Sequence, residues 1–304
     1  MNMDFFVLDK PVSTTSRLSK TKPNIDSSAG DRYKNVIFLP GNPARRAEGG
    51  LRVQGYFKNK DGNNPLISII TVVLNDEQNI EITIKSVLEQ NYENVEFIII
   101  DGGSTDNTQS IIKKYDRQID YWVSEPDSGI YEAFNKAVLC CQGDWVCFLG
   151  SGDSWINKDS LCRLAKLLDM SVDLICAKMR IVNKNKETIK GRPWKWNEMK
   201  KWQTIAHPGM LHNVKLFKKY GLFNQNLQIA GDYEWLLRLG NKVHAIFLDS
   251  IVVNMDGGGV SNRMAKTALL ENYKIQCAHS EIGIKNAIVN IIIAFIKKAI
   301  RQLT

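Results

Sequence analysis

The chain has 304 residues, enough for one large or two modest domains, and its 44% hydrophobic and 24% charged content is that of an ordinary globular protein. The net charge of +8 favours acidic partners such as nucleotide phosphates or anionic lipid. Because there is neither an RNA-binding signature nor a helix-turn-helix with a basic recognition face, nucleic acid is not expected as a partner.

Residues 1–63 are rich in Ser, Thr, Lys, Asn and Gly, and we interpret them as a partly ordered N-terminal arm. Two short apolar runs, Val36–Leu39 and Leu51–Phe57, could pack this arm on the main body. The first six residues have neither a basic segment nor a long apolar core, so no signal peptide is expected.

From Pro65 onward, apolar β-branched runs alternate with stretches of helical periodicity. Strands are predicted at Leu66–Leu74, Val95–Ile100, Ile119–Val123 and Trp145–Leu149, each followed by an amphipathic helix. Strands separated by helices of this length pair in parallel through right-handed crossovers. The predicted fold class is therefore α/β, with a mostly parallel, nucleotide-binding sheet flanked by helices.

Beyond residue 170 the alternation loosens. Short strands are predicted at Leu174–Ala177 and Met179–Val182, around a mixed-sheet extension, and at Val243–Phe247 and Ile251–Val253. Another helix is predicted to begin at Gly231.

The C-terminal segment 284–303 is predicted to form an amphipathic helix, with apolar residues on one side and Lys297, Lys298 and Arg301 on the other. Its longest uncharged run is well short of the roughly 20 residues that a spanning helix needs. A helix lying on the membrane surface and a helix docked on the protein's own core are both consistent with this pattern.

If the helix lies on the membrane surface, residues 284–303 are the predicted membrane contact.

The six cysteines include no Cys-x-x-Cys pair, which favours a reducing compartment and argues against a structural zinc site. The predicted location is therefore cytoplasmic, with peripheral attachment to the inner face of the cell membrane if the helix binds there.

Acidic residues follow the predicted strands, and the carboxyl ends of parallel strands meet at one edge of a sheet. Asp101 ends the second strand before two glycines, and Asp127 follows the third strand. We interpret both as candidate contacts to a nucleotide base or ribose, although Asp101 could instead cap a local turn. Lys136, in the following helix, could reach a phosphate or could be a solvated surface lysine.

The fourth strand is followed by Ser151, Gly152 and Asp153. The two small residues leave room beside Asp153 for a metal ion that bridges a diphosphate. Mg²⁺ or Mn²⁺ is usually held by one or two carboxylates together with phosphate oxygens. Asp153 is therefore the predicted metal ligand, and a simple turn aspartate is the alternative.

Asp232 follows a glycine where the helix at residue 231 begins. As a helix cap it would need no further role, but a carboxylate across the cleft could accept a proton from an attacking hydroxyl. His207 could line the acceptor side or pack in the core. The absence of a Gly-x-Ser-x-Gly motif and of a persuasive catalytic cysteine gives a covalent hydrolase little support.

Taken together, these segments resemble the inverting family 2 glycosyltransferases of the GT-A fold, from about Pro65 to Asn254. The segments that carry the resemblance are, in chain order, Ile67–Asn75, Asp101–Asp106, Ser124–Ala137, Gly143–Trp145, Gly150–Asp153, His207–Met210 and Gly231–Glu234. The resemblance implies a GT-A domain at 64–258 with a mixed-sheet acceptor half, followed by a helical tail at 259–304.

The resemblance also implies a nucleotide-diphosphate sugar as donor, with Asp101 and Asp127 at the nucleoside. Asp153 matches the last acid of the family's metal-binding Asp-x-Asp signature, for Mn²⁺ or Mg²⁺, and Ser151 stands where the first acid would be. Asp232 matches the catalytic base. At the position of Leu74 the family often has an aromatic residue that lies beside the nucleotide base. The leucine therefore leaves undecided how the nucleotide base is contacted and which donor is used.

The implied reaction is a single displacement in which Asp232 deprotonates an acceptor hydroxyl. The implied acceptor is a glycan or lipid-linked glycan in cell-surface polysaccharide synthesis. Two alternatives remain at this point: a metal-dependent nucleotidyltransferase, and a non-catalytic sugar-binding module of the same fold. The acidic run Asn75–Glu77 stands where a nucleotidyltransferase would carry a basic phosphate loop, which disfavours the first alternative.

Overall fold

The computed structural model describes residues 12–25, 28, 30–58, 60, 64–183, 186–259 and 264–303. Its strands are β1 (Leu18–Ser19), β2 (Ala47–Gly49), β3 (Phe57–Lys58), β4 (Ile67–Val73), β5 (Val95–Asp101), β6 (Tyr121–Ser124), β7 (Trp145–Phe148), β8 (Ser154–Trp155), β9 (Leu174–Asn183), β10 (Lys186–Lys190), β11 (Leu211–Asn213) and β12 (Ala245–Asp256). Its helices are α1 (Ile80–Leu88), α2 (Thr108–Lys114), α3 (Ile130–Cys140), α4 (Ser160–Ala165), α5 (Trp196–Met199), α6 (Val214–Tyr220), α7 (Gly231–Leu239), α8 (Ala265–Ala278) and α9 (Gly283–Leu303).

One mixed sheet organises the protein, in the strand order β2-β6-β5-β4-β7-β11-β9-β12-β8, with β10 beside β9. The central strands β6, β5, β4 and β7 pair in parallel. The following half is mixed, because β11 runs antiparallel to both neighbours whereas β9 and β12 are parallel. The predicted α/β fold, with a mostly parallel half and a mixed half, is confirmed.

The central strands β4 and β5 are buried along their whole length because both faces of the sheet are covered. Every residue of β4 and β5 is buried, which is typical of parallel strands packed between two helical layers. Two apolar cores result. One core packs α1, α2 and α4 on one face, and the other packs α3 and α7 on the opposite face.

The chain reverses its direction of travel across the sheet at β4. From β4 it moves outward through β5 and β6, and it then returns to place β7 on the other side of β4. Loops that leave two such adjacent strands diverge, and the crevice between them is where ligands bind in open α/β sheets. The loops after β4 and β7 begin at Leu74 and Leu149.

Several predicted boundaries differ from the structure. The two strands predicted between residues 174 and 182 form the single strand β9, because pairing along its length with β10 and β12 keeps the backbone extended. The two strands predicted between residues 243 and 253 likewise form the single strand β12, whose pairing with β9 shifts in register between Leu248 and Val253. Helix α8 lies within the helical tail expected at 259–304, whereas the strand β11 was not predicted.

The N-terminal arm contributes to the sheet and to a buried ion pair. Strand β2 pairs antiparallel with β6 and forms the edge of the sheet. Arg52 is 3% exposed and donates to the carboxylate of Glu96, which is 1% exposed. Arg52 also donates to the backbone carbonyls of Ile37 and Cys140, both at 2.9 Å. Of the predicted arm, residues 1–11, 26–27, 29, 59 and 61–63 lie outside the described residues.

The C-terminal helices pack together on the side of the sheet that carries α7. Helix α8 packs against α7, and α9 packs against α8. Ala287 of α9 is buried, and Asn290 donates to the side-chain oxygen of Gln276 on α8 at 2.9 Å. Among the described residues, no helix combines the length and the apolar character that crossing a bilayer would require.

The buried pair Arg52–Glu96 should be essential for stability. Replacing Arg52 with Met leaves the Glu96 carboxylate buried without its cation, so the free energy of unfolding should fall by about 3–5 kcal/mol. Urea denaturation of the purified variant measures this loss. The exposed pair Lys85–Glu81 supplies the control, because Lys85→Met should cost less than about 1 kcal/mol. Equal losses in the two variants would contradict the prediction.

Candidate active site

A cavity of about 540 Å³ opens where the loops after β4 and β7 diverge. The acidic residues that line it come from four separate parts of the chain: Asp76, Asp153, Asp232 and Asp256. Other lining residues used below are Leu74, Tyr131, Ser151, Gln203, His207, Ala268 and Asn272. The structure thus brings Asp153 and Asp232 to one hollow although they are far apart in sequence.

Asp153 is held in the turn that follows β7. One of its carboxylate oxygens accepts from the backbone N–H of Gly150 at 3.0 Å, and the other accepts from that of Asp256 at 3.2 Å. Gly152 makes the turn possible because its φ of +88° lies in the left-handed region, and a Cβ there would come within 3.3 Å of Asp256.

The environment of Asp153 disfavours its charged form. The residue is only 6% exposed. The pKa of Asp153 is raised to about 7, mainly by burial and to a smaller extent by the nearby carboxylate of Asp256. A cation in the cavity would oppose both effects, since it would compensate the lost hydration and screen the neighbouring charge.

Ser151 joins the two diverging loops, because its hydroxyl donates to Asp76 at 2.6 Å. Asp76, Ser151, Asp153 and Asp256 therefore offer hard oxygen donors on one side of the cavity, which is the ligand type that Mg²⁺ and Mn²⁺ prefer. Within the described residues, no three His, Cys, Asp or Glu side chains lie close enough to hold a metal by themselves. The donor set fits an ion that also takes oxygen ligands from a bound diphosphate.

Asp232 lies in the first turn of α7. Its carboxylate accepts from the side-chain amide of Gln203 at 2.8 Å and from the Tyr131 hydroxyl at 3.4 Å. Burial raises the pKa of Asp232, and the hydrogen bond from Gln203 partly offsets this. The side chain therefore has a fixed orientation and an increased affinity for a proton, which are properties of a general base.

Asp101, the last residue of β5, and Asp127 lie close together, next to the cavity rather than in its wall. The Asp101 carboxylate is fully buried and accepts from the hydroxyls of Ser104 and Ser124. Asp127 packs against Gly102, where a Cβ would come 2.6 Å from its carboxylate. Burial raises the pKa of Asp127.

Lys136 lies on α3, where its ammonium forms ion pairs with Glu125 at 3.0 Å and with Glu132 at 2.9 Å. Lys136, like Asp101 and Asp127, is not among the described residues that line the cavity. The predicted contact of Lys136 with a phosphate therefore stays a prediction.

Leu74 and His207 both line the cavity. Leu74 is 57% exposed and offers an apolar surface at the end of β4. His207 is almost fully buried and stacks on Phe148. Burial lowers the pKa of His207 to about 4, so its imidazole is neutral near pH 7.

Sequence reasoning missed Asp76, Tyr131, Gln203 and Asp256 as residues of this site. A signal existed for Asp256, because it ends an apolar strand and precedes three glycines, much as Asp101 precedes two. Asp76, in the acidic run Asn75–Glu77, is by sequence most simply explained as a helix cap, whereas α1 begins after Asn79 without a side-chain cap. Tyr131 and Gln203 carried no local signal, since only the folded chain places them beside Asp232.

Comparison with known proteins agrees with this geometry. A family model, Glycosyl transferase family 2, matches residues 68–231, which is more than half of the chain. The chain therefore belongs to glycosyl transferase family 2. It is a glycosyltransferase with the GT-A fold.

Individual relatives and structures extend this result. The putative teichuronic acid biosynthesis glycosyltransferase TuaG of Bacillus subtilis (strain 168) is 40% identical over 116 residues, which cover 37% of this chain and 44% of TuaG. The crystal structure of S. aureus TarS 1-349 in complex with UDP-GlcNAc gives a TM-score of 0.57 at 19% identity, covering 74% of this chain and 70% of that one.

A second solved structure is the mannosyltransferase PcManGT from Pyrobaculum calidifontis in complex with GDP-Man and Mn²⁺. It gives a TM-score of 0.55 at 19% identity, covering 78% of this chain and 75% of that one. At such identities, the two structures establish a shared fold.

The raised pKa of Asp153 should appear in the pH dependence of stability. Between its ordinary value of 3.8 and about 7, the folded protein retains a proton that the unfolded chain has released. The stability due to this proton is complete at low pH and is lost as the pH rises through that window. Relative to Asp153→Asn, wild type should therefore lose up to about 1.4 kcal/mol per pH unit.

Urea denaturation of both proteins with a chelator, from about pH 4 to about pH 8, measures this difference. Asp169→Asn is the control, because hydrogen bonds from Ser171 lower the pKa of that exposed carboxyl. A stability difference between wild type and Asp153→Asn that stays constant across the window would show that Asp153 titrates normally.

Proposed function

We propose that this protein transfers a sugar from a nucleotide-diphosphate sugar to an acceptor hydroxyl, with inversion at the anomeric carbon. The observation that carries the proposal is the single cavity that both Asp153 and Asp232 line, one after a sheet strand and the other at the start of α7. An ion-binding acid and a proton-accepting acid on separate elements leave space between them for the sugar.

The donor is proposed from the family and from the two solved structures. TarS is in complex with UDP-GlcNAc, and PcManGT is in complex with GDP-Man and Mn²⁺. We propose that this chain likewise takes a nucleotide-diphosphate sugar together with Mn²⁺ or Mg²⁺. The nucleoside would lie near Leu74, at the end of the cavity next to Asp101 and Asp127.

Asp101 supports this nucleoside end through the adjoining loop. It accepts from Ser104, whose hydroxyl in turn accepts from the backbone N–H of Asn75 at 2.7 Å. Asn75 lines the cavity with a positive φ of 52°, a conformation that asparagine tolerates better than most residues. Asp101 thereby fixes the backbone against which the nucleotide base would pack, while Asp127 remains available for a direct contact with the nucleoside.

The metal would be held by Asp153, with Asp256 beside it and Ser151 towards the diphosphate. A divalent cation there would stabilise the negative charge that develops on the departing diphosphate. Ser151 holds Asp76 at 2.6 Å, so the wall facing the diphosphate is ordered across both loops.

Asp232 would accept the proton of the acceptor hydroxyl. The hydroxyl oxygen then forms the new bond to the anomeric carbon from the opposite face, while the bond between that carbon and the diphosphate oxygen breaks. Gln203 and Tyr131 orient the Asp232 carboxylate through their hydrogen bonds. Positioning of this kind keeps the oxygen and the carbon in reacting geometry.

We propose a surface glycan or a lipid-linked glycan as acceptor. The name of TuaG points to synthesis of a cell-surface polymer. Helix α9 adds a physical argument, because six large apolar residues on it are 43–61% exposed: Ile284, Ile288, Val289, Ile292, Phe295 and Ile296. The helix also contains four basic and no acidic residues, a composition that suits an anionic membrane surface.

Loss of the Asp232 carboxylate should abolish transfer without abolishing donor binding. Asp232→Asn should lower kcat by about 10²–10⁴-fold, because the amide cannot take the proton. Diphosphate release, measured across a panel of nucleotide sugars with Mn²⁺ or Mg²⁺ and an acceptor glycan, identifies the donor and gives kcat. Calorimetric titration with that donor gives its affinity.

Glu234→Gln is the matched control, because Glu234 lies on the same helix but pairs with Arg238. This variant should keep most of the wild-type kcat. Full turnover in Asp232→Asn would remove Asp232 from the mechanism.

The exposed apolar face of α9 should bind anionic membranes. Replacing Ile288 and Ile292 with Ser should weaken sedimentation with phosphatidylglycerol vesicles by at least about tenfold, since each side chain buries apolar area worth about 1.5–3 kcal/mol. Ile82→Ser is the control, because Ile82 is similarly exposed but lies alone on α1. Unchanged vesicle binding by the double variant would exclude α9 as the membrane contact.

A further inference from the structure

Glu271 is a buried carboxylate on α8, beyond the segment that the family model matches. It is 8% exposed. Its two oxygens accept from three consecutive backbone N–H groups, those of Gln228 at 2.7 Å, Ile229 at 3.0 Å and Ala230 at 2.9 Å. A charged acceptor that binds three successive amides fixes the position of the backbone that carries them.

Those three amides lead directly into α7. Ala230 is the residue before the helix, and its carbonyl accepts the first helical hydrogen bond, from the N–H of Glu234 at 3.0 Å. Ala230 is therefore held by Glu271 through its N–H and by α7 through its carbonyl. Asp232 follows it two residues later, so its backbone position depends on where Glu271 places Ala230.

The opposite side of the same turn is fixed by Tyr131. A Cβ on Gly231 would come 2.7 Å from the Tyr131 ring, so the ring lies directly against the backbone there. The Tyr131 hydroxyl accepts from the N–H of Asp232 at 3.3 Å. The turn that carries Asp232 is thus enclosed between α3, which bears Tyr131, and α8, which bears Glu271.

Helix α8 also forms part of the cavity wall. Ala268 and Asn272, four residues apart and on either side of Glu271 in sequence, both line the cavity. The face of α8 that bears Glu271 therefore adjoins the site itself. A displacement of α8 would change the cavity and the backbone before Asp232 at the same time.

We propose that Glu271 is a positioning residue for Asp232. Its carboxylate holds residues 228–230 so that α7 begins at the place where the Asp232 carboxylate meets the acceptor hydroxyl. The proposal rests on the proposed function for the role of Asp232, but the hydrogen bonds of Glu271 can be tested independently of activity. A glutamine is nearly the same size, yet its amide offers only one oxygen and would turn an N–H group towards other N–H groups.

The first experiment measures amide hydrogen exchange in the full-length protein. In Glu271→Gln, exchange at residues 228–232 should accelerate by about 10- to 100-fold, which is the factor expected when charged hydrogen bonds are lost. Ile275→Val is the control, because Ile275 lies one turn further along α8 in the apolar core. It should leave exchange at residues 228–232 unchanged.

The second experiment measures kinetics with the nucleotide sugar found in the donor screen. In Glu271→Gln, kcat should fall by about 10- to 100-fold, since a misplaced reacting group costs rates of this order, while the donor KM should change less than about twofold. Glu271→Asp keeps the charge with a shorter reach, so its kcat should lie between wild type and Glu271→Gln. It also replaces Glu271→Gln if that variant does not fold.

Unchanged exchange at residues 228–232 in Glu271→Gln would overturn the proposal, whatever the activity. Faster exchange with an unchanged kcat would also overturn it, because the loop would then be held by Glu271 without affecting Asp232. If wild type itself transferred no sugar from any donor, the proposed function would fail, and the exchange result would still decide whether Glu271 holds the loop.

Discussion

The site depends on one constraint, which is that β4 pairs in parallel with β5 on one side and with β7 on the other. The polypeptide must leave these neighbouring strands in different directions, and an open crevice between their loops follows from this connectivity. The hydrogen bond from Ser151 to Asp76 closes the bottom of that crevice. The mixed half of the sheet then brings Asp256, at the end of β12, over the same opening.

The cavity contains more acidic side chains than the folding of the chain by itself requires. Four aspartates line it, and burial raises the pKa of Asp153 and of Asp232. Such an arrangement lowers the stability of the empty protein, as is common where a site is organised for a ligand. A cation and a sugar hydroxyl are the partners that would relieve this cost, one for each side of the cavity.

Local sequence patterns predicted the parts of the protein that local forces determine. The β-branched runs gave β4 and β5, and acids after strands indicated Asp101 and Asp153. The sequence could not predict Glu271 or the Arg52–Glu96 pair, because their partners lie about 40 residues away in the chain. A glutamate in the middle of a helix looks like a solvated residue until tertiary packing buries it. For the same reason, the sequence predicted two short strands in place of β9 and two in place of β12, because each strand is kept continuous by pairing with distant parts of the chain.

The short strand β2 has a practical consequence for anyone producing this protein. The family match starts at residue 68, which favours an expressed fragment that begins near residue 64. Such a fragment would lose β2 and leave β6 as a bare, hydrophobic outer strand, whose unpaired N–H and C=O groups recruit strands from other molecules. The fragment would also lack Arg52, so the buried carboxylate of Glu96 would have no counter-charge. Aggregation of that fragment would reflect the missing cover, and not a failure of the catalytic half to fold.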